Sequence, residues 1–218
     1  MISIRFEEKQ QIGLQYALET LHGCSPFGQE KIRRLRFYTP AERAELEEEL
    51  YNVQQAADHA EELKGVYDKI CILLCQMKDI RNSIRRCRDG EVPDHVELFE
   101  IKGYLQRLES LLPLYRQISD TAPLRGLAFH DPKPALDILD PDNTRSRGFY
   151  IPDSMTEKLR QIRRSKKELE EKLHEAKTDA QKDELRLQRT RICAEEESEE
   201  TKIRRDMGTR LAPLAEAM

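Results

Sequence analysis

Residues 154–180 read SMTEKLRQIRRSKKELEEKLHEAKTDA and decide the fold class of this chain. With Lys166 in one polar slot, the apolar residues of this stretch alternate in steps of four and three, at Met155, Leu159, Ile162, Leu169, Leu173, Ala176 and Ala180. Such heptad spacing keeps one apolar seam on a single side of a helix, where a second helix can cover it. Ser154 and Glu157 match the capping-box pattern S-x-x-E, so we predict a long helical arm that begins at Ser154.

The apolar seam weakens further along the chain and then resumes. The segment from Ala194 to Glu200 is almost wholly polar, whereas apolar residues return at helical spacing at Ile203, Met207, Leu211 and Leu214. A second capping box, Thr178 to Gln181, marks a point where the helix either turns or continues. Because a helix that is polar all round usually projects into solvent, we interpret the acidic segment as the solvated face of an arm that goes out and comes back.

The composition favours long solvated helices over a compact α/β enzyme. Charged residues make up 36% of the 218 positions, with only 9 glycines, 10 prolines and no tryptophan. The net charge of -4 provides no global field that would attract nucleic acid. No apolar run approaches the roughly 18 residues of a membrane-spanning helix, and the N-terminus lacks the apolar core of a signal peptide. Five cysteines without paired spacing indicate reduced thiols, and we predict a cytoplasmic protein.

Several helices are predicted before the arm. Helix-start patterns lie at Ser25-Pro26, Thr39-Pro40 and Pro93-Asp94, where proline or a capping side chain suits the first turn. Pro113 lies within the last of these helices and is expected to kink or divide it. The most apolar helix is predicted from Val66 to Cys87, with core residues Ile70, Leu73, Leu74, Met77, Ile80 and Ile84.

We therefore predict an all-α fold, a helical bundle with a long heptad-patterned arm. Residues 1–121 are assigned to the helical core bundle and residues 148–218 to the arm. Between them, residues 122–147 are rich in proline and are predicted to be a connecting loop with a single turn at Ala135–Leu139. A loop of this length is either functional or a connection between packed regions.

The sequence holds no pattern of a catalytic site. It lacks the phosphate loop G-x-x-x-x-G-K-[ST], the dinucleotide pattern G-x-G-x-x-G and the nucleophile elbow G-x-S-x-G. An enzyme site in the 121–147 loop is the weakest hypothesis, because His130 and Asp131 name no nucleophile or ligand set. Cys71 and Cys75 share a helix face, but no histidine or second cysteine pair lies nearby in sequence. We interpret them as buried structural thiols rather than metal ligands, and we predict no metal or cofactor for this chain.

Two rows of basic residues are candidates for phosphate contact. Between Ser154 and Ile192 there are twelve lysines and arginines against eight acidic residues, and such rows can follow a phosphate backbone. The alternative is a solvated helix face with ion pairs four residues apart, such as Glu168 with Lys172. The candidate DNA-binding residues are Arg160, Arg163, Arg164 and Lys167 on the arm, with Arg81 and Arg85 on an earlier helix.

Short motifs follow one another in a fixed order over nearly the whole chain. They are Gly13–Glu19 with Ser25–Glu30 and Leu35–Tyr38; Asp79–Arg81 with Ile84–Arg86, Gly90 and Glu97–Ile101; Leu139–Pro141 with Gly148–Ser154; Leu159–Arg163; and Ile203–Met207 with Leu211. In this order they resemble the α-helical core, or lever, domain and the base of the clamp arm in the MutS family of DNA mismatch repair ATPases. The pattern is similar to MutS-like paralogues that begin directly at the core domain and lack the mismatch-reading domain.

The chain also departs from the MutS pattern. Phe6-Glu7-Glu8 fits the family's Phe-x-Glu wedge, but it opens a helix, and we attribute the match to chance. No connector domain and no ATPase phosphate loop lie within the 218 residues, so we expect a chain truncated before an ATPase domain. About 35 residues separate Ser154 from the acidic segment, too few for a full clamp tip.

The resemblance implies a non-catalytic mechanical part. ATP-driven motion of a separate ATPase domain would pass along the arm to a DNA clamp. The same resemblance implies a homodimer in the full-length context, weak and non-specific DNA contact through the arm and no membrane partner. ATP and magnesium would belong only to the missing C-terminal domain. The alternative is a stand-alone helical coiled-coil scaffold that binds a protein partner. In either case the arm seam needs a partner, from the returning helix or from a second chain.

Overall fold

The structure is a computed structural model that describes residues 6–34, 38–143, 145, 149–176 and 178–216. The fold is all-α, as predicted, and the described residues contain no strand. A 3₁₀ turn lies at Pro40–Glu42, and the α-helices are α1 Phe6–Gln11, α2 Leu14–Thr20, α3 Pro26–Arg33, α4 Arg43–Asp58, α5 Lys64–Cys75, α6 Arg81–Arg88, α7 His95–Thr121, α8 Lys133–Leu139, α9 Glu157–Glu175 and α10 Asp179–Glu216.

The chain divides into two compact units. Unit 1 comprises Met1–Asp79 and Gln106–Pro132, and unit 2 comprises Ile80–Leu105 and Lys133–Met218. These limits differ from the predicted division into residues 1–121, 122–147 and 148–218. The reason is that α8, predicted as one turn of a loop, buries four side chains and packs against α10.

Unit 1 contains α1 to α5 and has a small apolar core. Leu63, Ile118 and Ala122 are buried there, and half-buried side chains pack around them, namely Val66, Tyr67, Ile70 and Leu124.

The predicted helix starts are confirmed: the Ser25 hydroxyl accepts a hydrogen bond from the Gly28 amide at 3.0 Å, and the Thr39 amide donates to Glu42 at 2.8 Å.

The predicted helix from Val66 to Cys87 is in fact two helices, α5 and α6. Met77 and Ile80 lie between them and are buried, as predicted, whereas Ile70, Leu73, Leu74 and Ile84 are only half-buried. The apolar spacing continues across the break and no glycine or proline marks it, so periodicity could not reveal it. The division between the two units falls at this break.

Unit 2 holds the larger core, which is built from the first turns of α7, from α8 and from the last two helices. Asp94 and Glu97 cap α7 reciprocally, each side chain accepting from the other's amide at 2.7 and 3.0 Å. Lys102 lies 3.4 Å from Asp140 in a buried ion pair beside this core. The fully buried side chains are Leu98, Ile101, Leu105, Leu136, Leu139, Ile151, Leu159 and Met207.

Pro113 was predicted to kink or divide its helix. It does not divide α7, because this helix continues past Pro113 to Thr121.

The start of α9 also differs from the prediction. Thr156 is the N-cap, and its hydroxyl accepts from the Leu159 amide at 3.1 Å. Ser154 instead donates to Asp142 at 2.7 Å, so the capping box that was predicted at Ser154 is not formed.

Helices α9 and α10 form an antiparallel hairpin. The chain turns at the second predicted capping box: α9 ends at Glu175, Ala176 is extended and α10 begins at Asp179. With 38 residues against 19, α10 extends well past α9. It packs along its length against α9, α6 and α8.

Candidate functional site: the charged centre of the hairpin

Ion pairs join α9 to α10 along the hairpin. Lys158 pairs with Glu199 at 3.1 Å, Lys166 with Glu196 at 2.6 Å and Glu170 with Arg189 at 3.5 Å. As the position on α9 rises, the position of the partner on α10 falls, as antiparallel pairing requires. We call the middle of this ladder, around Arg163, Lys166, Glu196 and Glu200, the charged centre.

Arg163 is the hub of the charged centre. Its Nε donates to Glu196 at 3.0 Å and its Nη2 to Glu200 at 2.8 Å. Nη1 donates to the Ile151 carbonyl at 2.7 Å and also to Asp153. The side chain is only 11% exposed. A guanidinium presents five planar donors, so one arginine can satisfy several acceptors that a lysine could not reach together.

The electrostatics follow from these contacts. Burial of Arg163 favours its neutral form, but hydrogen bonds to three carboxylates outweigh burial and raise the pKa of Arg163. The hydrogen bond to Glu196 raises the pKa of Lys166. Burial favours the protonated form of Glu196, yet hydrogen bonds from Lys166 and Arg163 lower the pKa of Glu196. All three groups therefore hold their charges at neutral pH.

The acidic segment on α10 is not the solvated face that the sequence predicted. Glu199 is buried, and Glu196 and Glu200 are half-buried on the side that faces α9. Only their neighbours, such as Glu195 and Glu197, are exposed. The sequence contained one indication of this arrangement. Lys166 occupies a seam position of α9, and a lysine that faces another helix needs an acidic partner on that helix.

The structure separates the predicted DNA-binding residues. Arg160, Arg164 and Lys167 lie on the exposed side of α9, where Arg160 pairs with Glu157 at 2.8 Å and Arg164 with Glu168 at 3.2 Å. Arg163 is not part of this row, because its donors point into the hairpin. The solvated-face alternative thus applies to two members of the row, which have ion-pair partners on the same helix.

Arg81 and Arg85 are exposed on α6. Helix α6 packs against the part of α10 that lies beyond α9. Gly208 marks this contact, because a Cβ atom there would lie 3.0 Å from Pro93 and 3.6 Å from the Cys87 sulfur. The two basic rows therefore lie on different helices, both of which pack against α10.

The charged centre is a structural arrangement of paired charges. Its arginine, lysine and carboxylate side chains neutralise one another. Within the described ranges, no group of three histidine, cysteine or acidic side chains is arranged to hold a metal ion. No described helix combines the length and the apolar character needed to cross a bilayer.

No protein-family model, no curated protein and no solved structure matches this chain. The MutS resemblance therefore rests on the sequence motifs alone. The geometry of the α9–α10 hairpin supplies a separate argument about what the chain can do.

Proposed function

We propose that this chain is a non-catalytic lever, the MutS-like core domain of a DNA mismatch repair or recombination-type ATPase. The observation that carries the proposal is the α9–α10 hairpin, whose charged centre joins two antiparallel helices between apolar contacts. Leu159, Ile162 and Leu169 are buried on α9 and Ile203 on the facing part of α10, while Met207 and Leu211 are buried where α10 extends past α9.

Such a hairpin is suited to transmitting displacement because it resists bending. Close-packed apolar side chains have low compressibility, and sliding one helix past the other would separate Arg163 from Glu196 and Glu200. At 1.5 Å per residue, the 19 residues of α9 span about 28 Å. A small rotation at the base would thus become a larger movement at the tip near residues 175–179.

In this proposal the chemistry belongs elsewhere. A separate ATPase domain of a homodimeric parent protein would bind ATP and magnesium, and this chain would pass its motion to a DNA clamp. The lever touches DNA weakly and without sequence preference, through Arg160, Arg164 and Lys167, with Arg81 and Arg85 on α6 as a lesser candidate. Arg163 is not among the proposed contacts.

Fluorescence anisotropy on matched and mismatched duplexes at two salt concentrations tests the proposal. We expect weak binding that does not distinguish the duplexes and falls steeply with salt, with a log–log slope of about -0.9 per neutralised phosphate. Reversing Arg160 and Arg164 to glutamate should abolish binding and leave the circular dichroism unchanged, since both side chains are exposed.

The matched control reverses two exposed arginines on α10, Arg186 and Arg191, which changes the net charge by the same amount. Equal loss of binding in both variants would assign the affinity to net charge and not to the α9 row. Preference for the mismatched duplex, or ATP turnover by the purified chain, would overturn the lever proposal.

A scaffold that binds a protein partner is the second candidate, favoured by the apolar surface of unit 1. Large apolar side chains are more than half exposed there, among them Ile12, Tyr16, Leu50, Val53 and Ile72. The arm seam is not available for this purpose, because α10 covers it. Sedimentation of the wild type and of two variants tests the scaffold candidate. Self-association that is lost in Val53→Asp and kept in Arg160→Glu would favour the scaffold.

A further inference from the structure

Two cysteines that lie 47 residues apart in sequence are in direct contact in unit 1. The Cys24 thiol donates a hydrogen bond to the Cys71 sulfur over 3.1 Å. Cys71 and Cys75 are exposed on α5, one helical turn apart, and Cys24 is half-buried. The prediction that Cys71 and Cys75 are buried structural thiols is therefore wrong, because α5 turns this face to solvent.

The backbone on both sides of Cys24 is fixed. Gly23 packs so closely on the first turn of α3 that a Cβ atom there would lie 2.6 Å from the Gln29 amide nitrogen, so only glycine fits. Ser25 is the buried N-cap of the same helix. Cys24 is held between these two residues, and Cys71 is held by the helical backbone of α5.

We propose that Cys24 and Cys71 form a reversible disulfide, a thiol–disulfide site that responds to small-molecule disulfides such as oxidised glutathione. Disulfide sulfurs lie about 2.05 Å apart, so the two sulfur atoms need to approach by roughly 1 Å. The exposed position of Cys71 leaves the bond open to reduction, which is typical of labile and regulatory disulfides and not of structural ones.

Exposure assigns a role to each thiol. Cys71 is exposed and meets the small disulfide first, whereas Cys24 is half-buried beside it and acts second. The hydrogen bond to Cys71 raises the pKa of Cys24. The Cys71 thiolate attacks the small disulfide, forms a mixed disulfide and releases one thiolate. Cys24 then loses its proton to solvent and attacks the Cys71 sulfur, which releases the second thiolate.

The reaction is balanced. Two protein thiols are oxidised to one disulfide, the small disulfide is reduced to two thiols, and the two protons pass to the released thiolates. The new bond closes a loop of the chain from Cys24 to Cys71 and ties the segment before α3 to α5. Such cross-links stabilise mainly by restricting the unfolded chain.

The test uses the full chain equilibrated in glutathione buffers of rising oxidising power, then alkylated and analysed by mass spectrometry. We expect the oxidised chain to carry two fewer alkyl groups than the reduced chain, with fragment ions that link Cys24 to Cys71. We also expect Tm to rise on oxidation by about 5–15 °C. Both changes should be absent in Cys24→Ser and present in Cys75→Ser.

Cys193→Ser is the matched control, since it removes a half-buried thiol on α10 and should leave the link and the Tm rise unchanged. A link from Cys24 to Cys75, a link between chains or no link under oxidising conditions would each overturn the proposal. A Tm rise of the same size in Cys24→Ser would overturn the stabilising effect assigned to this bond.

Discussion

At the scale of single residues, Arg163 and Arg164 show how much one step along a helix changes the role of a side chain. Arg163 faces α10 and meets three carboxylates and a carbonyl, whereas Arg164 is 82% exposed with one ion-pair partner on its own helix. The sequence placed both in a DNA-binding row, because arginine type and local charge do not reveal which side of a helix faces a partner.

Arg163→Met should lower the free energy of unfolding by about 2–4 kcal/mol. The substitution keeps the apolar stem but leaves Glu196 and Glu200 half-buried with one cation fewer, and unpaired buried charges are costly. Arg164→Met should change stability by no more than about 0.5 kcal/mol. Urea unfolding followed by circular dichroism measures both, and equal losses would show that Arg163 does not hold the hairpin.

Glu196 makes the stability of the hairpin dependent on pH. Its pKa in the folded chain is depressed, so its contribution is present above the unfolded pKa of about 4.3 and is lost as pH falls through the folded pKa. Between pH 6 and pH 3 the wild type should therefore lose more stability than Glu196→Gln does. Glu197→Gln removes an exposed neighbouring carboxylate, so this variant should lose as much stability as the wild type between pH 6 and pH 3 in urea titrations. A loss of stability in Glu196→Gln as large as that in Glu197→Gln would contradict this assignment.

At the scale of helices, apolar periodicity predicted α9 and the later part of α10 well. Leu159, Ile162 and Leu169 are buried as the heptad pattern requires, and Met207 and Leu211 resume it. The prediction worked because each of these helices buries an apolar stripe on one of its sides, the condition under which the pattern is informative.

Helix ends were predicted less well where the usual signals occur in other contexts. Ser154 matched the capping-box pattern, yet α9 begins at Glu157 with Thr156 as its N-cap. The acidic segment of α10 was placed in solvent because single-helix reasoning ignores cations on another helix. The charged centre depends on pairs such as Arg163 with Glu200, which are 37 residues apart.

Leu159→Ala tests the apolar part of the hairpin. Leu159 is fully buried, and truncation of a buried leucine costs about 2–5 kcal/mol through lost transfer energy and the remaining cavity. Leu187→Ala is the control, because Leu187 on α10 is 56% exposed and should cost less than about 1 kcal/mol. If thermal or urea unfolding ranks the two variants in the opposite order, the hairpin does not face the way described here.

At the scale of the whole chain, the proposed lever depends on pairing within the chain. The sequence left open whether the arm seam pairs with the returning helix or with a second chain, because heptad spacing does not name the partner. Helix α10 packs against α9 over the seam, and only three residues of the sequence separate the end of α9 at Glu175 from the start of α10 at Asp179. Stiffness is then a property of a single chain and does not depend on protein concentration.

Pulsed electron paramagnetic resonance between spin labels at Arg164→Cys and Glu195→Cys, with the native cysteines replaced, tests this claim most directly. Both positions are exposed, so the labels should not disturb the packing. We predict one narrow distance distribution, unchanged by dilution and by high salt because half-buried pairs are weakly screened, and broadened when Arg163→Met is added. A broad distribution in the otherwise unchanged chain, or one that shifts on dilution, would contradict a rigid lever paired within the chain.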